Sequence, residues 1–176
     1  MEKKPLLPVI GIALAALLPV CCSVPPPTPA SQENVYYVAA TGSDSNPGTE
    51  AQPWLTIRKA AHTLVAGDTL YIRAGSYPER VVPQNSGTEG NPITYAAYPG
   101  EVVTIEGTGV DVPEYSGLLD LTGREYLSIS GLRVINSKYY GIVAENSGHI
   151  IIDQNYTYNT YSSGISSWNS HDIIVD

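Results

Sequence analysis

The sequence from Leu127 to His149 reads LSISGLRVINSKYYGIVAENSGH, and the sequence from Ile150 to Asp172 reads IIIDQNYTYNTYSSGISSWNSHD. One pattern therefore occurs twice in succession at an offset of 23 positions, and a third copy begins at Ile173. Self-similarity at a fixed period of this length is typical of solenoids, in which each repeat packs mainly on its neighbours.

Apolar residues hold the same positions in each unit and alternate with polar ones, which is the period of a β-strand and not of a helix. Each unit is therefore predicted to form one three-sided coil of a parallel β-helix. Asn136 and Asn159 also share a position, which predicts an amide ladder between coils. The predicted interior stacks are Leu127, Ile150 and Ile173; Ile129, Ile152 and Val175; and Ile142 and Ile165.

Two further matches extend this register. A tight corner needs a residue that tolerates a left-handed backbone, and we expect Gly131 and, one unit later, Asn155 to hold that corner. With one extra residue, the pattern also extends backwards. This extension matches Val103, Ile105 and Gly117 to Leu127, Ile129 and Gly141.

The region before the coils contains one helical pattern. Ile57, Ala60, Ala61 and Leu64 fall on one helix face, with Thr56 as the expected N-cap and Gly67 as the expected stop. We expect this short amphipathic helix to cover the first coil, as a solenoid cap does. The cap is assigned to residues 35–68 and the coils to residues 69–176.

Residues 1–22 are predicted to be a signal peptide or lipoprotein leader. Lys3 and Lys4 precede an apolar run from Val9 to Val20, which is short for a membrane span. Cys21 follows and is a candidate for lipidation; simple secretion and an uncleaved anchor are the alternatives. Residues 23–34 form a Pro-rich linker, so we expect an extracellular or cell-surface protein.

The sequence stops at Asp176, inside the first strand of a new coil. Solenoids avoid an open coil. We therefore expect a C-terminal truncation: a fragment, a truncated reading frame, or a piece that joins another chain.

The charge balance limits the partners. Nine Lys and Arg against 17 Asp and Glu give a formal net charge of -8, which excludes nucleic acid as an expected partner. An acidic polysaccharide would need a local Lys or Arg or a bridging cation such as calcium. A membrane is expected as a partner only through the lipid anchor.

Eight short segments carry a resemblance to a known family: residues 36–38, 42–49, 53–57, 67–73, 75–77, 85–88, 90–94 and 98–101. Together they resemble the N-terminal region of pectate-lyase-like right-handed parallel β-helix proteins, and the resemblance covers residues 35–176. Similar openings occur in family 9 polysaccharide lyases and chondroitinase-B-like lyases. The resemblance implies an all-β, right-handed parallel β-helix with one N-terminal capping helix. It also implies β-elimination on uronic-acid polymers, with a Lys or Arg as base and calcium or a basic group against the carboxylate.

The candidate groove follows the strand that begins at Gly141 and Gly164. Alternation places Val143, Glu145 and Trp168 outward there, where Trp168 is either a sugar-stacking platform or a side chain packed on its own turn. Glu145 on this strand and Tyr139 and Tyr140 in the flanking turn are further candidate binding residues. Lys138 is the candidate base, with a solvated turn lysine as the alternative.

Two acid positions are candidates for other roles. Asp153 and Asp176 share a column and are candidate calcium ligands, or else solvated acids on a strand face. Asp44 and Asn46 lie in a turn, where they are expected to cap backbone amides.

The function therefore has three open interpretations. The first is a polysaccharide-active, lyase-like β-helix. The second is a non-catalytic surface β-helix that binds glycans or acts as an adhesive module. The third is an N-terminal fragment of a larger β-helix enzyme, inactive alone.

Overall fold

The computed structural model describes residue 1 and residues 33–176, so the predicted leader, Cys21 and nearly all of the linker lie outside the described residues. None of the described helices has the length and apolar character needed to cross a membrane. One helix, α1 (Ile57–Ala61), and thirteen strands are present in the described part. The strands are β1 (Val35–Val38), β2 (Thr69–Ile72), β3 (Gly75–Tyr77), β4 (Ile93–Ala97), β5 (Val103–Glu106), β6 (Gly117–Asp120), β7 (Glu125–Ser130), β8 (Leu132–Ile135), β9 (Tyr140–Glu145), β10 (Gly148–Asp153), β11 (Tyr156–Tyr158), β12 (Ile165–Trp168) and β13 (His171–Val175).

The strands form three parallel sheets, one for each side of a coil. The first sheet has the order β1-β2-β4-β7-β10-β13, the second β3-β5-β8-β11, and the third β6-β9-β12. Chain order returns to each sheet once per coil, which is the topology of a parallel β-helix. The predicted fold class is therefore confirmed.

The predicted interior stacks are present in the predicted register. Ile152 pairs with Ile129 on one side and with Val175 on the other, and Ile165 pairs with Ile142. Ile129 and Ile152 are completely buried. Apolar side chains of successive coils thus form one continuous core, which supplies most of the favourable free energy of folding.

The backward extension of the repeat was wrong. Val103 and Ile105 pair with Leu132 and Val134 in the second sheet, while Leu127 and Ile129 pair with Ile93 and Tyr95. Similarly, Gly117 faces Tyr140 and not Gly141. The earlier coils carry long connections at residues 78–92 and 107–116, so the distance between equivalent strands is not constant there.

The corner position was correct for Gly131 and wrong for Asn155. Gly131 has φ 71°, and the left-handed residue one coil later is Gln154, with φ 53°. Asn155 instead joins two coils through its side chain. Its Oδ1 accepts from the Leu132 backbone N–H at 3.0 Å, and its Nδ2 donates to the Ile129 carbonyl at 2.9 Å.

The helix begins where it was predicted and ends earlier. The Thr56 side chain accepts a hydrogen bond from the Lys59 N–H at 3.0 Å, as an N-cap does. The helix ends at Ala61, although Leu64 beyond it is still 1% exposed and packs in the core. Helix α1 contacts β1, the outermost strand of the first sheet.

The turn before the helix is fixed by Asp44, as predicted. Its carboxylate accepts from the backbone N–H groups of Leu55 at 3.0 Å and Thr56 at 2.9 Å. Asn46 differs from the prediction because its side chain donates to the Pro53 carbonyl, at 2.9 Å.

Candidate functional site

The third sheet and the turn that precedes it form the predicted groove face. The sheet contains β6, β9 and β12, and the turn contains Lys138 and Tyr139. The backbone N–H of Tyr161 donates to the Ser137 carbonyl at 3.1 Å, and that of Tyr140 donates to the Ser116 carbonyl at 3.3 Å. The turns of successive coils are therefore stacked in the same register as the strands.

Two of the predicted aromatic residues meet on this face. The ring centroids of Tyr140 and Trp168 lie 5.5 Å apart with a tilt of 53°. Both side chains are half-buried, and Trp168 is the register partner of Glu145. Val143 was expected to face outward into the groove, but it is only 1% exposed, and the backbone of Gly117 lies against its side chain.

Lys138 and Tyr139 line a cleft beside this pair. The cleft, which we call the Lys138 cleft, has a volume of about 350 Å³ and is lined by Glu114, Lys138, Tyr139 and Tyr161. Lys138 is exposed, and its Nζ lies 5.5 Å from the Tyr139 ring centroid, a cation–π distance. Tyr139 packs partly on the core, which holds the floor of the cleft in place.

Two exposed tyrosines of the cleft region were missed by the sequence analysis. Tyr115 is 67% exposed and Tyr161 is 85% exposed. Each lies 23 positions from Lys138, so Tyr115, Lys138 and Tyr161 form one column along three coils. The 23-residue spacing of these three residues is present in the sequence. The backward match included one extra residue and therefore did not align Tyr115 with Lys138.

The cleft holds groups of both charges. Glu114 lies beside Tyr115, and its negative charge raises the pKa of the Tyr115 hydroxyl above the ordinary value. Lys138 is the cation among the residues that line the cleft. A ligand carboxylate would therefore be attracted to the Lys138 side and repelled from the Glu114 side, which gives the cleft a polarity.

Asp153 and Asp176 lie on another face, at the ends of neighbouring strands of the first sheet. Asp153 is half-buried and Asp176 is exposed. They are not in the set of three metal-ligating side chains that the structure brings together among the described residues. Their role as calcium ligands stays a prediction.

Comparison with known proteins identifies the family. The family model described as "Pel9A-like, right handed beta helix region" matches residues 36–175. The chain belongs to this Pel9A-like family. The match spans nearly all described residues and agrees with the parallel sheets, so the right-handed parallel β-helix is established.

Two curated relatives of the Pel9A-like chain share substantial identity with it. "Uncharacterized protein YwoF" of Bacillus subtilis is 37% identical over 129 residues, which is 68% of this chain and 28% of the relative. "Pectate lyase PEL9" of Emericella nidulans is 31% identical over 140 residues, which is 73% of this chain and 34% of the relative. The chain therefore spans about a third of the length of these relatives.

Among solved structures, "Crystal structure of pectate lyase Pel9A" superimposes with a TM-score of 0.61 at 20% identity. The match covers 80% of this chain and 37% of that one. At this identity the likeness shows the fold. The Emericella relative and the protein in this crystal structure are both named as pectate lyases.

Proposed function

We propose that this chain binds an acidic polysaccharide in the Lys138 cleft, within a secreted or surface-anchored protein that cleaves uronic-acid polymers by β-elimination. The observation that carries the proposal is the column of Tyr115, Lys138 and Tyr161 on three successive coils. Family membership and the name of the Emericella relative support the reaction class. The basic and apolar leader supports the location.

The column fits a chain of sugar rings. Parallel coils repeat about every 4.8 Å, so a polymer lying along the column meets a new side chain at each coil. Exposed tyrosine rings offer apolar faces for stacking, while their hydroxyls remain in water. The half-buried pair of Tyr140 and Trp168 would extend this surface onto the sheet.

Lys138 would pair with a uronate carboxylate. The lysine is exposed and points to the cleft that Tyr139 and Tyr161 line, whereas Arg133 lies on another face with its guanidinium 5.1 Å from the Tyr156 ring centroid. In β-elimination, a base removes the proton next to the carboxylate, the glycosidic oxygen leaves, and a carbon–carbon double bond forms. Neutralising the carboxylate stabilises the negative charge that develops in this step. A bound calcium ion would assist by the same effect.

A binding function without turnover is the second candidate. Among the described residues, no Lys or Arg is buried. A lysine base is usually activated by burial or by a neighbouring cation. This observation favours a role for the described coils in holding the polymer.

Binding is tested with the full chain by affinity electrophoresis in gels that contain polygalacturonate, alginate or chondroitin. We expect Tyr161→Ala and Trp168→Ala each to weaken binding to one of the acidic polymers by about 3- to 10-fold. Tyr156→Ala is the matched aromatic control on the second sheet and should bind as the wild type does. Lys138→Gln should weaken binding, Lys138→Arg should retain it, and Arg133→Gln is the matched cation control.

Turnover is tested in parallel by the ultraviolet absorbance of the unsaturated product, with and without calcium. Product formation that Lys138→Gln abolishes and Lys138→Arg does not restore would identify Lys138 as the base. Binding without product would support the second candidate. If wild type binds none of the polymers, or the groove variants equal their controls, the proposed site is wrong.

A further inference from the structure

A cluster of two histidines and one aspartate lies on the first sheet, away from the Lys138 cleft. His149 belongs to β10, and His171 and Asp172 belong to β13. One ligand atom from each residue can be chosen so that all three lie within 4.8 Å of one another. The Nδ1 of His149 is 3.4 Å from the Oδ2 of Asp172, and the ring centroids of the two histidines are 5.1 Å apart.

The backbone explains why these side chains meet. His149 and Asp172 hold the same position in successive coils and have φ values of 53° and 51°. Tyr126 holds that position one coil before His149 and has φ 54°. A left-handed residue breaks the alternation of a strand, so its side chain does not follow the usual inward and outward order. Three coils therefore present one column of outward side chains, in which Tyr126 stacks on the His149 imidazole with ring centroids 4.4 Å apart and a tilt of 14°.

The position of the His171 ring depends on Gly148. A Cβ atom at Gly148 would lie 2.5 Å from the Nε2 atom of His171 and would also overlap its Cε1 atom. Only a residue without a side chain leaves room for the imidazole in this place. Neighbouring residues therefore position both histidine rings. The Tyr126 ring stacks on His149, and the absence of a side chain at Gly148 leaves space for His171.

We propose that His149, His171 and Asp172 form a surface site for a divalent transition-metal ion, with zinc as the ion that fits best. Imidazole nitrogens and a carboxylate are a common zinc ligand set, and a site with three protein ligands keeps a position open. Zinc ligands sit about 2.0–2.1 Å from the ion, which places tetrahedral ligand atoms about 3.3 Å apart. The separation of His149 and Asp172 is already close to this value, and small side-chain rotations would bring in His171.

The proposed metal site adjoins an apolar groove. Tyr126, His149 and Asp172 also line an apolar groove of about 290 Å³ that includes Ile151 and Ile174. Ile151 and Ile174 are 42% and 57% exposed. The open position of the ion would face this groove. A ligand with a metal-binding atom and an apolar body is the chemical class that matches both features.

The proposal is tested by titrating zinc chloride into the untagged full chain and measuring heat and stoichiometry. The only two cysteines, Cys21 and Cys22, are replaced by serine in all samples so that no thiol competes. We expect one zinc ion per chain. Cobalt chloride should give the visible absorption bands of a four- or five-coordinate cobalt ion with nitrogen and oxygen ligands.

Four variants separate the site from other causes of zinc binding. His149→Ala and His171→Ala should each weaken zinc binding by at least about 10-fold. Gly148→Ala keeps all three ligands and displaces the His171 ring, so it should weaken binding as well. His62→Ala is the matched control, because His62 lies at the helix C-cap, outside the cluster.

Circular dichroism verifies that each variant is folded. A wild-type chain that binds no zinc would show that the cluster is an ordinary His–Asp pair and would overturn the proposal. The same conclusion would follow if the His149→Ala and His171→Ala chains bound zinc as tightly as the His62→Ala chain.

Discussion

The side-chain amide of Asn159 donates a hydrogen bond to the side-chain oxygen of Asn136, one coil earlier, at 2.7 Å. Asn136 in turn donates to the Glu106 carboxylate at 2.9 Å. The ladder therefore continues to a third coil, where its last acceptor is a carboxylate. Hydrogen bonds from Thr108 and Asn136 lower the pKa of Glu106 below its ordinary value. Asn146 and Asn169 form a second ladder of the same kind.

Asn136 is predicted to stabilise the fold through both its amide and its backbone. Its φ is 56°, a region where Ala costs about 1–2 kcal/mol and Gly costs little. We expect Asn136→Ala to lower the free energy of unfolding by about 2 kcal/mol and Asn136→Gly by about 1 kcal/mol. Urea denaturation followed by circular dichroism measures both. Equal losses for the two variants would contradict the left-handed assignment.

Neighbouring isoleucines in one strand provide a direct test of the interior stack. Ile152 is fully buried between Ile129 and Val175, whereas Ile151 is 42% exposed. We expect Ile152→Ala to lower the free energy of unfolding by about 2–5 kcal/mol, because it removes buried methylenes and leaves a cavity. Ile151→Ala should change it by about 0.5 kcal/mol or less. The urea denaturation midpoints of the two variants measure these losses. A larger loss for Ile151→Ala than for Ile152→Ala would show that Ile151, and not Ile152, faces the core.

The sequence analysis identified the coils correctly where the period is regular. Inward side chains such as Ile129 and Ile152 must be apolar in every coil, so their spacing is visible in the chain. The coils before Leu127 carry connections of different length, so a single shift cannot align Val103 with its true partner, Leu132. Connection lengths on the surface are weakly constrained by the core, and the pattern does not encode them.

The two candidate sites were only partly visible in the sequence for a related reason. Tyr115, Lys138 and Tyr161 share a column at a spacing of 23 residues, but the extra residue in the backward match placed Tyr115 out of register with Lys138. The His149 cluster additionally depends on left-handed backbone at a tyrosine, a histidine and an aspartate. Such conformations are set by packing between coils and not by local preference, so strand alternation alone could not predict which side chains meet.

Glu101 is predicted to make stability depend on pH at the acid end. Its carboxylate accepts hydrogen bonds from Arg73 Nη2 at 2.7 Å and Arg73 Nε at 3.0 Å. These bonds, with one from the Ala74 N–H, lower the pKa of Glu101 below its ordinary value of 4.5. A lowered pKa means that the contribution is present above the ordinary value and is lost as the pH falls through the folded-state value.

The Glu101→Gln variant should therefore lose stability relative to wild type at neutral pH, and the difference should shrink as the pH falls below the ordinary value. Urea midpoints over this range measure the change, with Glu89→Gln at an exposed turn as the control. A difference that grows on acidification would contradict the ion pair.

Glu79 should respond to pH in the opposite direction. This side chain is only 9% exposed, and its two oxygens accept from the backbone N–H groups of Ile57 and Arg58, both at 2.9 Å. Burial raises the pKa of Glu79 above its ordinary value of 4.5, and the hydrogen bonds from Arg58 and Ile57 offset this only in part. The folded chain thus holds the Glu79 proton more tightly than the unfolded chain does.

The contribution of Glu79 to stability is therefore fully present below the ordinary pKa and declines as the pH rises through the folded-state value. We expect Glu79→Gln to cost about 1–3 kcal/mol near neutral pH, because an amide can accept with only one of its two polar atoms and so leaves one helix N–H unpaired. The deficit of the variant relative to wild type should be larger at about pH 4 than at about pH 7. Urea unfolding at both pH values measures this difference in the free energy of unfolding. A deficit that grew with rising pH would mean that the helix N-terminus stabilises the charged carboxylate of Glu79 by more than burial destabilises it.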